Sequence, residues 1–227
     1  MMIRGLHLRV WPFYMGLWHA CREWSRALIR IVSNLRLSLF ALAAFAALPA
    51  CQQASTAPAP LEGAAIGGPI NLIDTKGQPF TEAMLKGKYR MVYFGYSWCP
   101  DICPTDMQQL ALAFRKFEEE SPELAAKVQP LFITVDPKRD TPAKLAQFVS
   151  AFHPRFIGLT GSDAQIAEVT RAFAVPVLMD EDDGKGNYLV NHGRMTFLMD
   201  PNGKPIVLLT PDQKADSVLA DLEKWVR

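Results

Sequence analysis

Tyr89-Arg-Met-Val-Tyr-Phe-Gly-Tyr96 is a short apolar, β-branched and aromatic run in a chain of 227 residues. A run of this kind predicts a central strand buried on both faces. Such a strand cannot stand alone: it needs neighbouring strands and helices laid over the sheet. The run is followed at once by Cys99-Pro-Asp-Ile-Cys103-Pro104. Two thiols, with three residues between them, therefore sit where a buried strand hands over to a helix.

The rest of the chain supplies what that strand requires. Pro104–Glu120 predicts a helix, because Met107, Leu110, Phe114 and Phe117 recur at i, i+3, i+7 and i+10 on one face. Pro104 suits a first helical position and Asp106 the positive first turn. Val128–Val135 predicts the next buried strand. Asp140-Thr-Pro142 opens a helix to about Phe152, with Asp140 or Thr141 as its cap. Phe156–Leu159 reads as a short strand, and Ser162 as the cap of a helix over Asp163–Phe173. Met195–Met199 and Ile206–Leu209 read as strands joined by the turn Asp200-Pro-Asn-Gly203, and Asp212–Val226 as a closing helix. Near the start, Asn71–Asp74 and the turn at Lys76-Gly77 predict a hairpin. Strands alternating with helices imply parallel pairs with helices on both faces, and the last hairpin adds antiparallel strands. The predicted fold class is α/β: a thioredoxin-like central mixed sheet flanked by helices, with an N-terminal hairpin and an insertion before the final hairpin.

The net charge of +1 hides an asymmetry. Residues 1–36 hold six Arg and one acid, Glu23, which leaves 18 basic and 22 acidic residues, a net of −4, for the remainder. A mildly acidic domain has no electrostatic attraction for nucleic acid. The basic head and the uncharged Leu37–Ala50 block read as a signal or membrane-targeting leader over residues 1–51, with Met15 as a candidate start. Leu48-Pro-Ala-Cys51 resembles a lipobox, with Cys51 as the lipidated residue; the rival readings are an uncleaved apolar anchor and an organelle transit peptide. Residues 52–68, rich in Ala, Pro, Gly and Ser, read as a flexible tether, and residues 69–227 as the domain. The expected location is outside the cytoplasm, on the periplasmic face of a bacterial inner membrane. Of the four Cys, only Cys99 and Cys103 fall in that domain. One close pair is a structural bridge, a redox centre or a metal site, not a disulfide scaffold.

In open α/β sheets, function collects beyond the carboxyl ends of the central strands, where this pair falls. A helix N-terminus is expected to lower the pKa of both thiols. The redox pair of thioredoxins is C-x-x-C; one more residue widens the turn and lets both sulfurs face a shared ion, although C-x-x-x-C can still close to a disulfide. Thioredoxins also carry a cis-Pro ahead of the next strand, against the Cys pair. Here Met195 stands in its place, and His192 lies three residues earlier on a loop expected to cover the thiols. Cys99, Cys103 and His192 make a donor set suited to copper, with zinc as the chemical rival. Asp136 is open between support of the site and contact with a partner. Asp140 reads as a helix cap, His153 as a helix-end residue and Glu118-Glu-Glu120 as a solvated helix end.

Four segments carry a family resemblance. Tyr93-Phe-Gly-Tyr-Ser-Trp-Cys-Pro-Asp-Ile-Cys-Pro104, Phe132-Ile-Thr-Val-Asp-Pro-Lys-Arg-Asp-Thr-Pro142, Phe152-His-Pro-Arg-Phe-Ile-Gly-Leu-Thr-Gly161 and Leu189-Val-Asn-His192 resemble the Sco/SenC family of copper-binding assembly factors for cytochrome c oxidase. The resemblance implies copper ligands at Cys99, Cys103 and His192. It also implies delivery of copper to the CuA centre of oxidase subunit II, reduction of that subunit's cysteines as a thiol-disulfide oxidoreductase, or both. Other copper chaperones and thioredoxin-like reductants are the further partners it implies. The family commonly has Asp before the His; here it is Asn191, which brings no charge and implies an altered Cu(II) affinity with the Cys₂His set intact. A peroxiredoxin-like peroxidase is the weakest reading, because Tyr96 stands where that family has Thr.

Overall fold

The computed structural model describes residues 58–227. The leader, its apolar block, Cys51 and the first part of the tether lie outside the described residues. Among the described residues, nine strands form a seven-stranded sheet and a separate two-stranded one. They are β1 (Leu72–Asp74), β2 (Pro79–Phe80), β3 (Tyr89–Gly95), β4 (Val128–Thr134), β5 (Ile157–Thr160), β6 (Val177–Met179), β7 (Val190–His192), β8 (Thr196–Met199) and β9 (Pro205–Leu209). The main helices are α1 (Ile102–Glu120), α2 (Pro142–Ser150), α3 (Asp163–Ala172) and α4 (Ala215–Trp225).

The large sheet runs β2-β1-β5-β4-β3-β8-β9. β3 pairs with β4, and β4 with β5, in parallel; β1, β8 and β9 add antiparallel partners. This is the predicted mixed thioredoxin-like sheet, with β1 and β2 as the opening hairpin. Every residue of β3 is buried, as a doubly covered strand demands. Alternate side chains of a strand point to opposite faces. On one face, Tyr93 and Phe132 stack toward Phe148 of α2, and Tyr93 Oη donates to Asp106 of α1. On the other, Phe94 and Phe197 meet Phe173 at the end of α3. The four spaced apolar residues of α1 are all fully buried.

Several boundaries move. α1 begins at Ile102, so Cys103 lies in its first turn and Asp106 in its second, one turn beyond the dipole position assigned to it. The cap of α2 is Thr141, whose side chain accepts the Lys144 N–H. Asp140 is fully buried and does different work: it accepts from Ser97 N, Ser97 Oγ and Thr134 Oγ1. Ser162 caps α3 in a reciprocal box with Gln165. The closing helix is broken: a 3₁₀ turn at Pro211–Gln213 ends at Lys214, which has φ 81°, before α4 begins. The insertion is the two-stranded β6–β7 sheet.

The described end of the tether lies along the domain. Leu61 N donates to Ile206 O of β9, and Gly67 N to Ala172 O at the end of α3. Ala59, Leu61 and Ile66 pack on the core. Residues 59–67 are therefore seated on the domain.

Candidate metal centre

β3 ends at Gly95, and the following loop turns Cys99 and Cys103 over the carboxyl end of the sheet. Gly95 sets how closely they can lie. A Cβ there would stand 2.7 Å from Tyr93 Cε1, 3.1 Å from Cys103 Sγ and 3.2 Å from Phe132 Cε2. Its absence lets the Cys103 sulfur settle onto the strand, fully buried, while Cys99 is half-buried. Both are free thiols. Cys103 N–H reaches Cys99 Sγ at 3.3 Å, so the helix N-terminus acts on the outer sulfur. Asp140 holds the intervening loop by both donors of Ser97.

His192 arrives on β7. Its Nε2 lies 3.4 Å from Cys103 Sγ. Its Nδ1 lies 3.1 Å from Gly193 O, and a carbonyl only accepts, so Nδ1 carries the proton. The lone pair of Nε2 therefore faces the sulfur. Tyr96 supports the ring edge-on, with centroids 5.9 Å apart, and its hydroxyl accepts from Val190 N. His192 thus sits at the end of a strand rather than on the expected loop, and it lies against Cys103. Cys99, Ile102, Leu189, Asn191, His192 and Arg194 help line a cleft of about 240 Å³ here. A larger cleft of about 450 Å³ lies between α3 and β6 and has no Cys or His in its wall, so it offers no comparable donors.

The electrostatics correct one expectation. Burial, the largest influence, pushes the Cys103 thiol up to about 12, above its ordinary value and opposite to the predicted fall. Burial likewise lowers the pKa of His192 and keeps it neutral. The inner pair is thus a protonated thiol facing an imidazole lone pair. Among the described residues, no three His, Cys, Asp or Glu side chains already converge on one point. The chemistry of the donors still fits a soft ion: two sulfurs that become thiolates on losing their protons, and one neutral nitrogen.

Asp136 is fully buried and faces neither the thiols nor solvent. It accepts from Tyr188 Oη at 2.8 Å and from Arg139 Nε, and Arg139 lies 3.6 Å from the Tyr188 ring centroid. It ties the β6–β7 hairpin to the end of β4. Asn191 is exposed and donates to Asp180 Oδ1 at 2.9 Å, so its amide bridges the hairpin and leaves the imidazole to Gly193. Met199 is core and Met195 packs half-buried against the core. His153 lies just beyond the end of α2 with Nε2 3.0 Å from Glu118 Oε2, and Arg155 also binds Glu118, so the first of the three glutamates is engaged rather than free in solvent. Sequence reasoning missed Arg194, which donates from Nε and Nη2 to the buried Asp106. Its only signal is a cation two residues after His192.

The SCO1/SenC family model matches residues 58–227. The mitochondrial protein SCO2 of Saccharomyces cerevisiae is 40% identical over 164 residues, 72% of this chain and 54% of that protein. The chain spans about half the length of the curated relatives it matches. Among solved structures, Arabidopsis thaliana ScoI with copper bound is 38% identical with a TM-score of 0.65, covering 70% of this chain and 98% of that one. Bradyrhizobium japonicum ScoI with copper bound is 35% identical with a TM-score of 0.64, covering 71% and 99%.

Proposed function

The chain belongs to the SCO1/SenC family, and we propose that it is a copper metallochaperone whose ligands are Cys99, Cys103 and His192. The observation that carries this reading is the lone pair of His192 Nε2 set 3.4 Å from the buried Cys103 sulfur, beside a second free thiol. The copper-bound relatives support the choice of ion. Copper is cargo here. Its entry displaces the thiol protons, and thiolates favour Cu(I) while the imidazole extends tolerance to Cu(II). Cys99 is the accessible sulfur, so exchange with a recipient's ligands proceeds from its side of the cleft. The proposed recipient is the CuA centre of cytochrome c oxidase subunit II. The domain is proposed to work on the periplasmic face of the inner membrane, held by a lipid on Cys51 or by the apolar leader. No helix among the described residues is long and apolar enough to cross a membrane.

The second reading is a thiol-disulfide oxidoreductase, favoured by two free thiols of which Cys99 is accessible, with Cys103 N–H directed at its sulfur. Cys99 thiolate would attack a substrate disulfide and release one thiol. Cys103 would then attack the mixed disulfide, releasing the second thiol and leaving a Cys99–Cys103 bond, two electrons passing to the substrate.

Titration of Cu(I) and Cu(II) into wild type, Cys99→Ser, Cys103→Ser and His192→Ala separates the readings. The metallochaperone should bind about one copper, lose it in both Ser variants, and show a shifted thiolate-to-Cu(II) band in His192→Ala. A band unchanged by that substitution removes His192 from the ligand set. Rapid disulfide turnover by metal-free protein that is indifferent to His192→Ala selects the oxidoreductase.

A further inference from the structure

We infer that Asp106 and Arg194 form a positioning clamp that sets His192 against Cys103; the inference rests on the copper-binding reading above.

Asp106 lies on α1 three residues after Cys103, and Arg194 lies two residues after His192. The Asp106 carboxylate is fully buried. Arg194 grips it twice, Nη2 to Oδ1 at 2.7 Å and Nε to Oδ2 at 3.2 Å. This side-on, two-bond form is the stiffest way to hold a guanidinium. The Tyr93 hydroxyl donates to Oδ2 at 3.2 Å. One carboxylate thus joins three elements: α1 with Cys103, β3 through Tyr93, and the β7–β8 connection with His192.

That geometry restrains the imidazole. His192 is held by pairing of β7 with β6, by Gly193 O and by an edge contact with Tyr96, none of which reaches the helix that bears Cys103. Its one direct tie to that helix is the weak thiol contact of Cys103 at 3.4 Å. The Asp106–Arg194 pair adds a charged, two-bond tie between the same two segments, and Arg194 also lines the cleft. An isolated buried carboxylate is expensive to keep without a cation. Closing the loop supplies that cation, so the loop is pulled down onto α1 and Nε2 is brought to the sulfur. The effect falls on the nitrogen donor rather than on the thiols. Two thiolates suffice for Cu(I), whereas Cu(II) depends more on the imidazole.

The test uses the full chain, with Arg194→Met, Arg194→Lys and Asp106→Asn, and has two arms. In metal-free protein, nuclear Overhauser contacts between the His192 ring and the Cys103 β-protons are measured. Arg194→Met should lose them, and Arg194→Lys should keep part of them. Wild-type intensity in Arg194→Met overturns the clamp whether or not the protein binds copper. In the second arm Cu(II) is titrated as the probe. Loss of the supporting group should weaken Cu(II) binding about 10–100-fold and shift the thiolate-to-Cu(II) band, with Cu(I) stoichiometry unchanged. An unaltered Cu(II) affinity and band in Arg194→Met also overturn it. If Asp106→Asn fails to fold, Arg194→Met and Arg194→Lys, changed at a part-exposed side chain, still decide the question. Failure of wild type to bind copper strikes the copper reading alone, because the first arm needs no metal.

Discussion

Gly95 controls the spacing of the centre through what it lacks. Tyr93 and Phe132, the neighbours a Cβ would strike, are fully buried, and Tyr93 is also pinned by its bond to Asp106. They cannot swing aside without moving the core. Gly95→Ala should therefore cost about 1–3 kcal/mol of stability, as overpacking does, read as a lower urea midpoint with unchanged slope. A midpoint equal to wild type would show that the ring and sulfur have room to spare. His153 gives a pH effect. Burial, outweighing Glu118, lowers its pKa, so the folded protein prefers it neutral. As pH falls through about 6.5, the unfolded chain takes up this proton first. Stability is then lost until the pH drops below the folded-state pKa, and nothing is lost above the unfolded value. Urea midpoints at pH 7.5 and 5.5 should differ less in His153→Gln than in wild type; equal differences would reject the assignment.

The β6–β7 hairpin carries His192, and Tyr188 is one of its holds on the domain. Tyr188→Phe removes the hydroxyl from the buried Asp136. A hydrogen bond to a charged acceptor contributes about 1.5–3 kcal/mol, so local opening should become at least about tenfold easier. Amide exchange should quicken at the β6–β7 pairs while α1 keeps its protection. Equal quickening in α1 would mean that the change is global. This hairpin also marks where reading by pattern stops. The predicted β3, β4 and α1 were legible because long apolar runs and a helical period announce them. β6 and β7 have three residues each, mostly exposed or half-buried, and no alternation to detect. The break at Lys214 was invisible for another reason: a non-glycine residue with positive φ carries no local signal. The thiols and His192 stood out through residue type and spacing. Asp106 with Arg194, and Asp140 with Ser97, are pairs 88 and 43 residues apart that only the folded chain brings together.

Across the whole molecule, the sheet order follows from alternation of strand and helix, but the seating of residues 59–67 does not. Their small and flexible composition points to a tether, and only their contacts with β9 and α3 show otherwise. Leu61→Ala together with Ile66→Ala should lower stability by about 2 kcal/mol, the range for trimming partly buried aliphatic side chains. The His192–Cys103 contacts should stay unchanged; their loss would mean that this segment steers the site. The segment has a direction as well as a position. Leu61 meets Ile206, beside the Arg90 and Met199 level of the sheet, whereas the thiols lie past Gly95, roughly 15 Å further along β3 at about 3.3 Å per residue. The first described residues thus lie at one pole of the domain and the sulfurs at the other. A partner that docks at the Cys99 pole therefore reaches the accessible sulfur without displacing the seated 59–67 segment.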